Sequence, residues 1–203
     1  MFKGVLSKMR TELDQSLTYF LELGDDFLIS DYLINKEIRF KFLGFSCLKC
    51  SSEEEIFRQG HCQKCFFESP STAEWVIRPE LSKAHLNVQD RDIDYEKRIQ
   101  LQPHILYLSF TDDVKIGVTR KSQLPTRWID QGAINAIEVA ELPNRYLAGL
   151  CEVELKKYYK DKTNWRAMLK ANKSEIDLSQ EKLKAKKYLP SDLKKYYNST
   201  SLV

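Results

Sequence analysis

Ile105-Leu106-Tyr107-Leu108-Ser109-Phe110 and Val114-Lys115-Ile116-Gly117-Val118-Thr119 are two strand-like runs separated by Thr111-Asp112-Asp113, a loop of hairpin length. Setting Phe110 opposite Val114 fixes the register of an antiparallel pair: Leu108 meets Ile116, Tyr107 meets Gly117, Leu106 meets Val118 and Ile105 meets Thr119. Because side chains alternate across a strand, one face collects Leu106, Leu108, Phe110, Val114, Ile116 and Val118, an apolar set made for a core. The opposite face carries Tyr107, Ser109, Lys115, Gly117 and Thr119. There the register exposes Tyr107 and Lys115, with Gly117 leaving open the space a side chain would fill. A phenol beside an ammonium over a bare glycine suits an anionic substrate; the ordinary solvent face of an edge hairpin has the same composition.

The residues that follow extend the pattern. Leu124-Pro125-Thr126-Arg127-Trp128-Ile129-Asp130-Gln131-Gly132 has proline near its start and glycine after its end, as expected for a short helix, and places Arg127 and Gln131 on one face at i, i+4. Ala136–Ala140 reads as a third strand. Arg145–Lys160 then reads as a long helix, with Leu147, Leu150, Cys151, Leu155 and Tyr158 at helical spacing. Glu152 borders the stripe through Ala148 and Leu155, whereas Glu154 lies about 200° away around the helix. Taken singly, these polar residues have plain uses: Arg127 paired with Asp130, and Glu152 with Lys156.

Cys47-Leu48-Lys49-Cys50 and Cys62-Gln63-Lys64-Cys65 are two Cys-x-x-Cys knuckles separated by eleven residues. Two intervening residues let one tight turn aim both sulfurs at an ion about 2.3 Å away, and a second turn opposite completes a tetrahedron. The spacing predicts one structural zinc in a ribbon-like hairpin, with Glu55–Arg58 as a strand between the knuckles. Redox-active thiols, or a ligand set that includes His61, are the alternatives. A closed four-thiolate site stabilises a fold and leaves no position for a reactive water. Lys49, Arg58 and Lys64 are basic enough to meet nucleic acid, but Glu53-Glu54-Glu55 opposes a phosphate backbone. Cys151 is left over.

The 203 residues are 42% apolar, enough for a core without staples, and no run approaches the roughly 18 apolar residues of a membrane span. No apolar stretch at the start resembles a signal peptide, so a cytoplasmic location is expected, where cysteines stay reduced or bind metal. From Lys156 onward thirteen Lys and Arg face five Asp and Glu, a balance of +8 that leaves −5 for the preceding residues in a chain of net charge +3. Such asymmetry suits an acidic partner or a solvated lysine face. Leu17–Leu21 and Phe27–Ile29 flank the turn signal Gly24-Asp25-Asp26, and Ile38–Phe42 alternates apolar with basic, so all three read as strands. Residues 69–103 are the least periodic and read as an irregular linker. His85 and His104 lack ligand-spaced partners and read as structural. Pro190 marks a helix stop, and Ser199-Thr200-Ser201 a frayed terminus.

In order, Tyr107, Lys-Ile-Gly-Val-Thr-Arg at 115–120, Arg127 and Ala148-x-x-x-Glu152-x-x-Leu155 resemble the GIY-YIG nuclease superfamily, in its branch where Lys-Ile-Gly-x-Thr replaces the second tyrosine motif. Over nearly its whole length, the chain also resembles an uncharacterised bacterial family joining a cysteine-knuckle N-terminal part to this half. That match is carried by Pro125–Ala133 and by Asp161-Lys162-Thr163-Asn164-Trp165-Arg166. The nuclease resemblance implies that Tyr107 orients the attacking water, Arg127 stabilises phosphate charge, and Glu152 holds a Mg²⁺ or Mn²⁺ ion. Lys115 joins them as a point charge, and Gly117, Thr119, Arg120 and Gln131 are the implied substrate-binding residues. The chain departs from the pattern at Ile105 (glycine in the first motif), Lys115 (tyrosine in the second) and Gln131 (often histidine or tyrosine).

The expected protein is α+β, in four parts. A β segment with a four-Cys zinc ribbon spans 1–68 and an irregular linker 69–103. A GIY-YIG-like domain, with a three-stranded antiparallel sheet flanked by helices, spans 104–170, and a basic helical tail 171–203. Its expected function is metal-dependent cleavage of DNA or RNA phosphodiesters. The alternatives are a non-catalytic nucleic-acid-binding module and a zinc-stabilised protein-interaction scaffold, the latter with Trp128, Trp165 and the pairs Tyr158-Tyr159 and Tyr196-Tyr197 as anchors.

Overall fold

The computed structural model describes residues 3–24, 26–162, 166, 168 and 176–199, and the chain divides into two units, 1–68 and 69–203. In the first unit β1 (Arg10–Leu13), β2 (Leu17–Leu23) and β3 (Asp26–Ile29) form an antiparallel meander in that order. Gly24 turns the chain into β3 at a φ of +65°, where a side chain would be strained; Asp25 of the expected turn lies outside the described residues. Strand β1 has no apolar alternation to announce it. Arg10 ties it to β2, with Nε 3.0 Å from Glu22 Oε1 and the guanidinium 4.0 Å from the Phe20 ring centroid. The strand expected at Ile38–Phe42 does not form. Residues 37–46 have no strand partner and leave Phe40 and Phe42 exposed, because alternation without a neighbouring ladder does not make a sheet. The second cysteine knuckle runs into a helix, α1 (Gln63–Glu68), which carries Cys65.

The second unit begins with α2 (Glu74–Ile77) and α3 (Ile93–Gln100), in the stretch 69–103 that reads as a linker in sequence. It is instead integral to this unit, held by buried side chains that replace regular backbone pairing. The Glu96 carboxylate, 1% exposed, accepts the backbone N–H groups of Asp90, Arg91 and Asp92 at 3.0, 2.7 and 2.9 Å. Gln100 Oε1 accepts Ala84 N–H at 3.0 Å.

Next come β4 (His104–Phe110), β5 (Val114–Arg120), α4 (Thr126–Asp130), β6 (Asn135–Leu142), α5 (Arg145–Leu155) and α6 (Leu178–Tyr188). The sheet order is β5-β4-β6, antiparallel throughout, and the β4–β5 register is the one the sequence dictates, Tyr107 opposite Gly117 included. A register shift between Leu106 and Tyr107 marks a bulge against β6. As the central strand, β4 buries all seven of its residues. Leu106, Leu108, Phe110 and Ile116 join Ala148, Cys151 and Leu155 of α5 and Leu178 and Ala185 of α6 in one core. The 171–203 region is therefore no solvated tail where it is described: Leu189 and Leu193 are buried too, and α6 ends at Tyr188, just before Pro190. Helix α5 is shorter than its periodicity suggests. It stops at Leu155, after which Lys160 comes beside β5 and its carbonyl accepts the Ile116 N–H at 2.9 Å.

The approach of 69–103 to α5 depends on Gly149. A Cβ there would sit 2.5 Å from the carbonyl carbon of Pro79 and closer still to the Glu80 nitrogen, so only glycine lets these backbones touch.

Candidate functional site

In the first unit the four cysteines converge: the sulfurs of Cys47, Cys50, Cys62 and Cys65 all lie within 4.8 Å of one another, and those of Cys50 and Cys62 are 3.9 Å apart. Four thiolates around an ion at about 2.3 Å stand roughly 3.8 Å apart, so this spacing fits a tetrahedral metal site. The first turn is built by Ser51 N–H donating to Cys47 O at 2.9 Å, and Cys62 N–H points at Cys47 Sγ at 3.4 Å. Backbone hydrogen bonding, chiefly at Cys50, holds the Cys47 thiol down to about 6, while burial, reinforced by the neighbouring sulfurs, pushes Cys65 up to about 12. Four thiolates this close would repel one another, and a divalent cation held among them would offset that repulsion. The anticipated strand at Glu55–Arg58 is replaced by a tight turn in which Arg58 bridges to His61. His61 Nδ1 is 2.8 Å from Gln59 O, and His61 is not one of the four clustered ligands. Cys151 is fully buried in the other unit's core, which pushes its thiol up to about 12 and leaves it unreactive.

In the second unit a cleft of about 240 Å³ opens where β5, α4 and the start of α5 meet the segment 69–103. Arg120, Arg127 and Arg145 line it, none of its described lining residues is acidic, and Trp75, Tyr95 and Ile99 line it from the segment 69–103. Each arginine has its own support. Arg145, first residue of α5, donates from Nε to Trp75 O at 3.1 Å and from Nη2 to Val76 O at 2.6 Å. Burial lowers Arg145 to about 10, so it stays charged at neutral pH. Arg120 Nε donates to Gln123 Oε1 at 3.1 Å, and Arg127 is exposed on α4.

Tyr107 and Glu152 stand within electrostatic reach of these arginines. The Tyr107 phenol is pushed up chiefly by burial; the Arg127 guanidinium pulls it down and the Glu152 carboxylate opposes that. The exposure expected for Tyr107 is not found. It is 1% exposed, its hydroxyl donates to Gln131 Oε1 at 2.7 Å, and Trp128 meets its ring edge-on at 6.1 Å. Nor is the space over Gly117 empty, since a Cβ there would lie 2.6 Å from the Tyr107 hydroxyl oxygen. Gly117 thus makes room for the phenol itself.

Glu152 is 8% exposed, and its Oε2 is buried with no hydrogen-bond partner; Lys156 Nζ stands 3.6 Å away. Burial raises this carboxyl above the usual range, against the pull of Lys156 and Arg145. Glu154, by contrast, faces solvent and pairs with Lys157 at 2.7 Å.

Thr119 and Arg120 line the cleft. Lys115 does not, nor is it exposed: it is 5% exposed and its ammonium binds Thr111 Oγ1 and Asp112 Oδ1, stapling the β4–β5 loop. That pairing helps hold Asp112 down to about 2. The residues invisible to sequence reading are Arg145 and the wall Trp75, Tyr95 and Ile99. Arg145 looks like an ordinary helix-start residue, and the wall lies in the stretch with no periodicity to read. His104 is fully buried, bonded through Nδ1 to Gln102 O at 2.7 Å, and burial drops it to about 4; His85 stacks on Tyr146 at 4.4 Å. Of the proposed aromatic anchors, Tyr158 stacks on Tyr188 at 3.7 Å while Tyr159, Tyr196 and Tyr197 pack against the core. Trp165 lies outside the described residues, as do Thr163 and Asn164 of the motif beside it and residues 200–203.

Fold and sites together define a two-unit α+β protein with a cluster of four cysteines that could hold a metal ion in one unit and an arginine-lined cleft in the other. Among the described residues, no helix is long and apolar enough to cross a membrane. The chain belongs to the family described as protein of unknown function (DUF2797), whose profile matches residues 35–202 and so includes all four cysteines and every residue of the cleft. No curated protein and no solved structure matches the chain.

Proposed function

We propose that the second unit is a nuclease-like module acting on nucleic-acid phosphodiesters, and that the four cysteines of the first unit hold a structural zinc. The observation that carries the reading is a cleft lined by three arginines, with no acid among its described lining residues; Tyr107 and Glu152 are not among those lining residues, but Tyr107 feels the charges of both Arg127 and Glu152. The GIY-YIG resemblance names Tyr107, Arg127 and Glu152.

Phosphoryl transfer asks a protein mainly to position the substrate and to stabilise charge on the equatorial oxygens. Arg127, exposed on its short helix, meets a phosphate as a planar fork, and Arg145, fixed by two backbone carbonyls, adds a preorganised charge. Tyr107 holds its hydroxyl toward the same region through Gln131. Glu152, with one buried oxygen lacking a hydrogen-bond partner, is the residue that would hold Mg²⁺ or Mn²⁺. When bound, such an ion supplies Lewis-acid stabilisation of the phosphate and lowers the pKa of a bound water. Incubating the purified protein with DNA and RNA, single- and double-stranded, with Mg²⁺ or Mn²⁺ tests the reading. Cleavage that disappears in Glu152→Ala and falls about 100-fold in Arg127→Ala supports it; no cleavage, or activity indifferent to both changes, removes it.

A second reading, binding without cleavage, is favoured by one observation. The Tyr107 phenol is almost wholly buried and lies over Gly117, a poor position from which to reach an incoming water. It predicts salt-dependent affinity for nucleic acid with no product at any metal concentration.

A further inference from the structure

The two walls of the cleft differ in chemistry, and the difference bears on which form of nucleic acid enters it. One wall, from β5, α4 and the turn between them, is cationic and hydrogen-bonding: Arg120, Arg127 and Gln123. The other, from the segment 69–103, is mainly aromatic and apolar, with Trp75, Tyr95 and Ile99 beside Ser71, and Arg145 is fixed at its edge by the Trp75 and Val76 carbonyls. Trp75 is 4% exposed, and its indole Nε1 is buried without a hydrogen-bond partner. Tyr95 is half-buried, 6.4 Å from the Trp75 ring, with the Arg98 guanidinium 5.3 Å from its own ring centroid. A phosphate alone would use only the cationic wall. A nucleotide has an anionic end and a flat apolar face bearing hydrogen-bond acceptors, so it matches both walls at once. At about 240 Å³ the cleft falls below the roughly 300 Å³ at which pockets for drug-sized ligands begin. It can take one nucleotide and has no room for a base pair, because a paired base keeps its partner and its stack.

We propose that the cleft receives a single unpaired nucleotide, its base against Tyr95 and its phosphate on Arg120 and Arg127, so that the module selects single-stranded nucleic acid over duplex. This rests on the nucleic-acid reading above and narrows its substrate. Base–aromatic stacking contributes about 1–3 kcal/mol per base, roughly 5- to 150-fold in affinity, and is available only to a base that has left its stack.

The test is fluorescence anisotropy with the full zinc-loaded chain and no added Mg²⁺ or Mn²⁺, at one fixed salt concentration. The probe is a fluorescein-labelled thymidine strand of about twelve nucleotides, free or annealed to its complement. The expected result is at least about tenfold tighter binding of the free strand, lost in Tyr95→Ala and in Tyr95→Leu and retained in Tyr95→Phe, with duplex affinity unchanged by all three. Tyr95→Leu keeps apolar bulk without a π face, and circular dichroism confirms folding of each variant. Equal or tighter duplex binding overturns the proposal while leaving the nucleic-acid reading standing, as does a Tyr95→Leu variant that retains the preference. Binding of neither probe overturns both.

Discussion

Gly117→Ala is the sharpest test of how the Tyr107 site is built. An added Cβ would lie 2.6 Å from the Tyr107 hydroxyl oxygen, 2.7 Å from Cζ and 3.2 Å from Cε1, against an ordinary contact of 3.4 Å or more. The ring must retreat by nearly 1 Å, but it is 1% exposed and flanked by Trp128, so there is no free space to take it. Overpacking of this kind costs about 1–3 kcal/mol, and loss of the 2.7 Å bond to Gln131 adds about 1. Replacing glycine returns about 0.5–1 kcal/mol through the unfolded chain, leaving a net loss of about 2 kcal/mol. At about 4 °C per kcal/mol for a domain of this size, Tm falls by roughly 8 °C. Tryptophan fluorescence is the right readout, since Trp75, Trp128 and Trp165 all belong to the second unit and report its unfolding without interference from the first. The cause is isolated by Tyr107→Leu, whose side chain does not reach residue 117: in that background Gly117→Ala should cost less than about 0.5 kcal/mol. A Gly117→Ala protein melting within about 1 °C of wild type, or losses that simply add in the double variant, would falsify the packing argument.

Other consequences are open to direct measurement. The purified protein should carry about one zinc per chain by elemental analysis, and Cys62→Ser or Cys65→Ser should lose it, since three thiolates no longer close the tetrahedron. His104 sits at about 4 in the folded state against an ordinary 6.5, so the unfolded chain binds the extra proton between those values; its contribution to stability is complete above about pH 6.5 and is lost as pH falls toward 4. At about 1.4 kcal/mol per pH unit this amounts to roughly 3 kcal/mol, and between pH 7 and 4 His104→Gln should lose less stability than wild type by about that amount. Gly149→Ala should destabilise the second unit by about 2 kcal/mol despite alanine's better helix propensity, because the added methyl meets the Pro79–Glu80 backbone rather than a side chain that can turn away; thermal melting that shows a gain would refute that contact.

The 104–120 hairpin was legible in sequence to the residue, because a period of two and a three-residue loop leave a single register that gathers the apolar side chains on one face. The convergence of the four cysteines was legible because Cys-x-x-Cys spacing aims two sulfurs at one point through local backbone geometry and not through distant packing. Pattern alone could not show that β6 would flank β4 on its second edge, making it a central strand, or that Trp128 and Gln131 would close over Tyr107 on the face where it reads as exposed. Lys115 illustrates the limit: its position was read correctly, but Asp112, three residues away, takes its charge. The cleft's second wall left no periodic trace, because residues 69–103 are held by Glu96, Gln100 and the Gly149 contact, which are single interactions and not repeats. Gly149 did carry a signal, a glycine inside an otherwise strong helix, which marks a close backbone approach.

The charge that matters is not where the count of basic residues places it. The surplus of lysines lies beyond residue 155, yet among the described residues none after Arg145 lines the cleft. The α6 lysines are spent locally, Lys184 on Glu181 at 2.7 Å and Lys186 over the Tyr197 ring at 4.6 Å. The cleft instead concentrates three arginines in a stretch whose overall balance is negative. A guanidinium offers a planar fork and sheds water more readily than an ammonium, so three of them in one confined hollow would fix the position of an anion under the proposed function, whereas scattered lysines would only draw it near. Chain-wide charge therefore says little about this protein's partner, and the arrangement of Arg120, Arg127 and Arg145 against an aromatic wall says a good deal more.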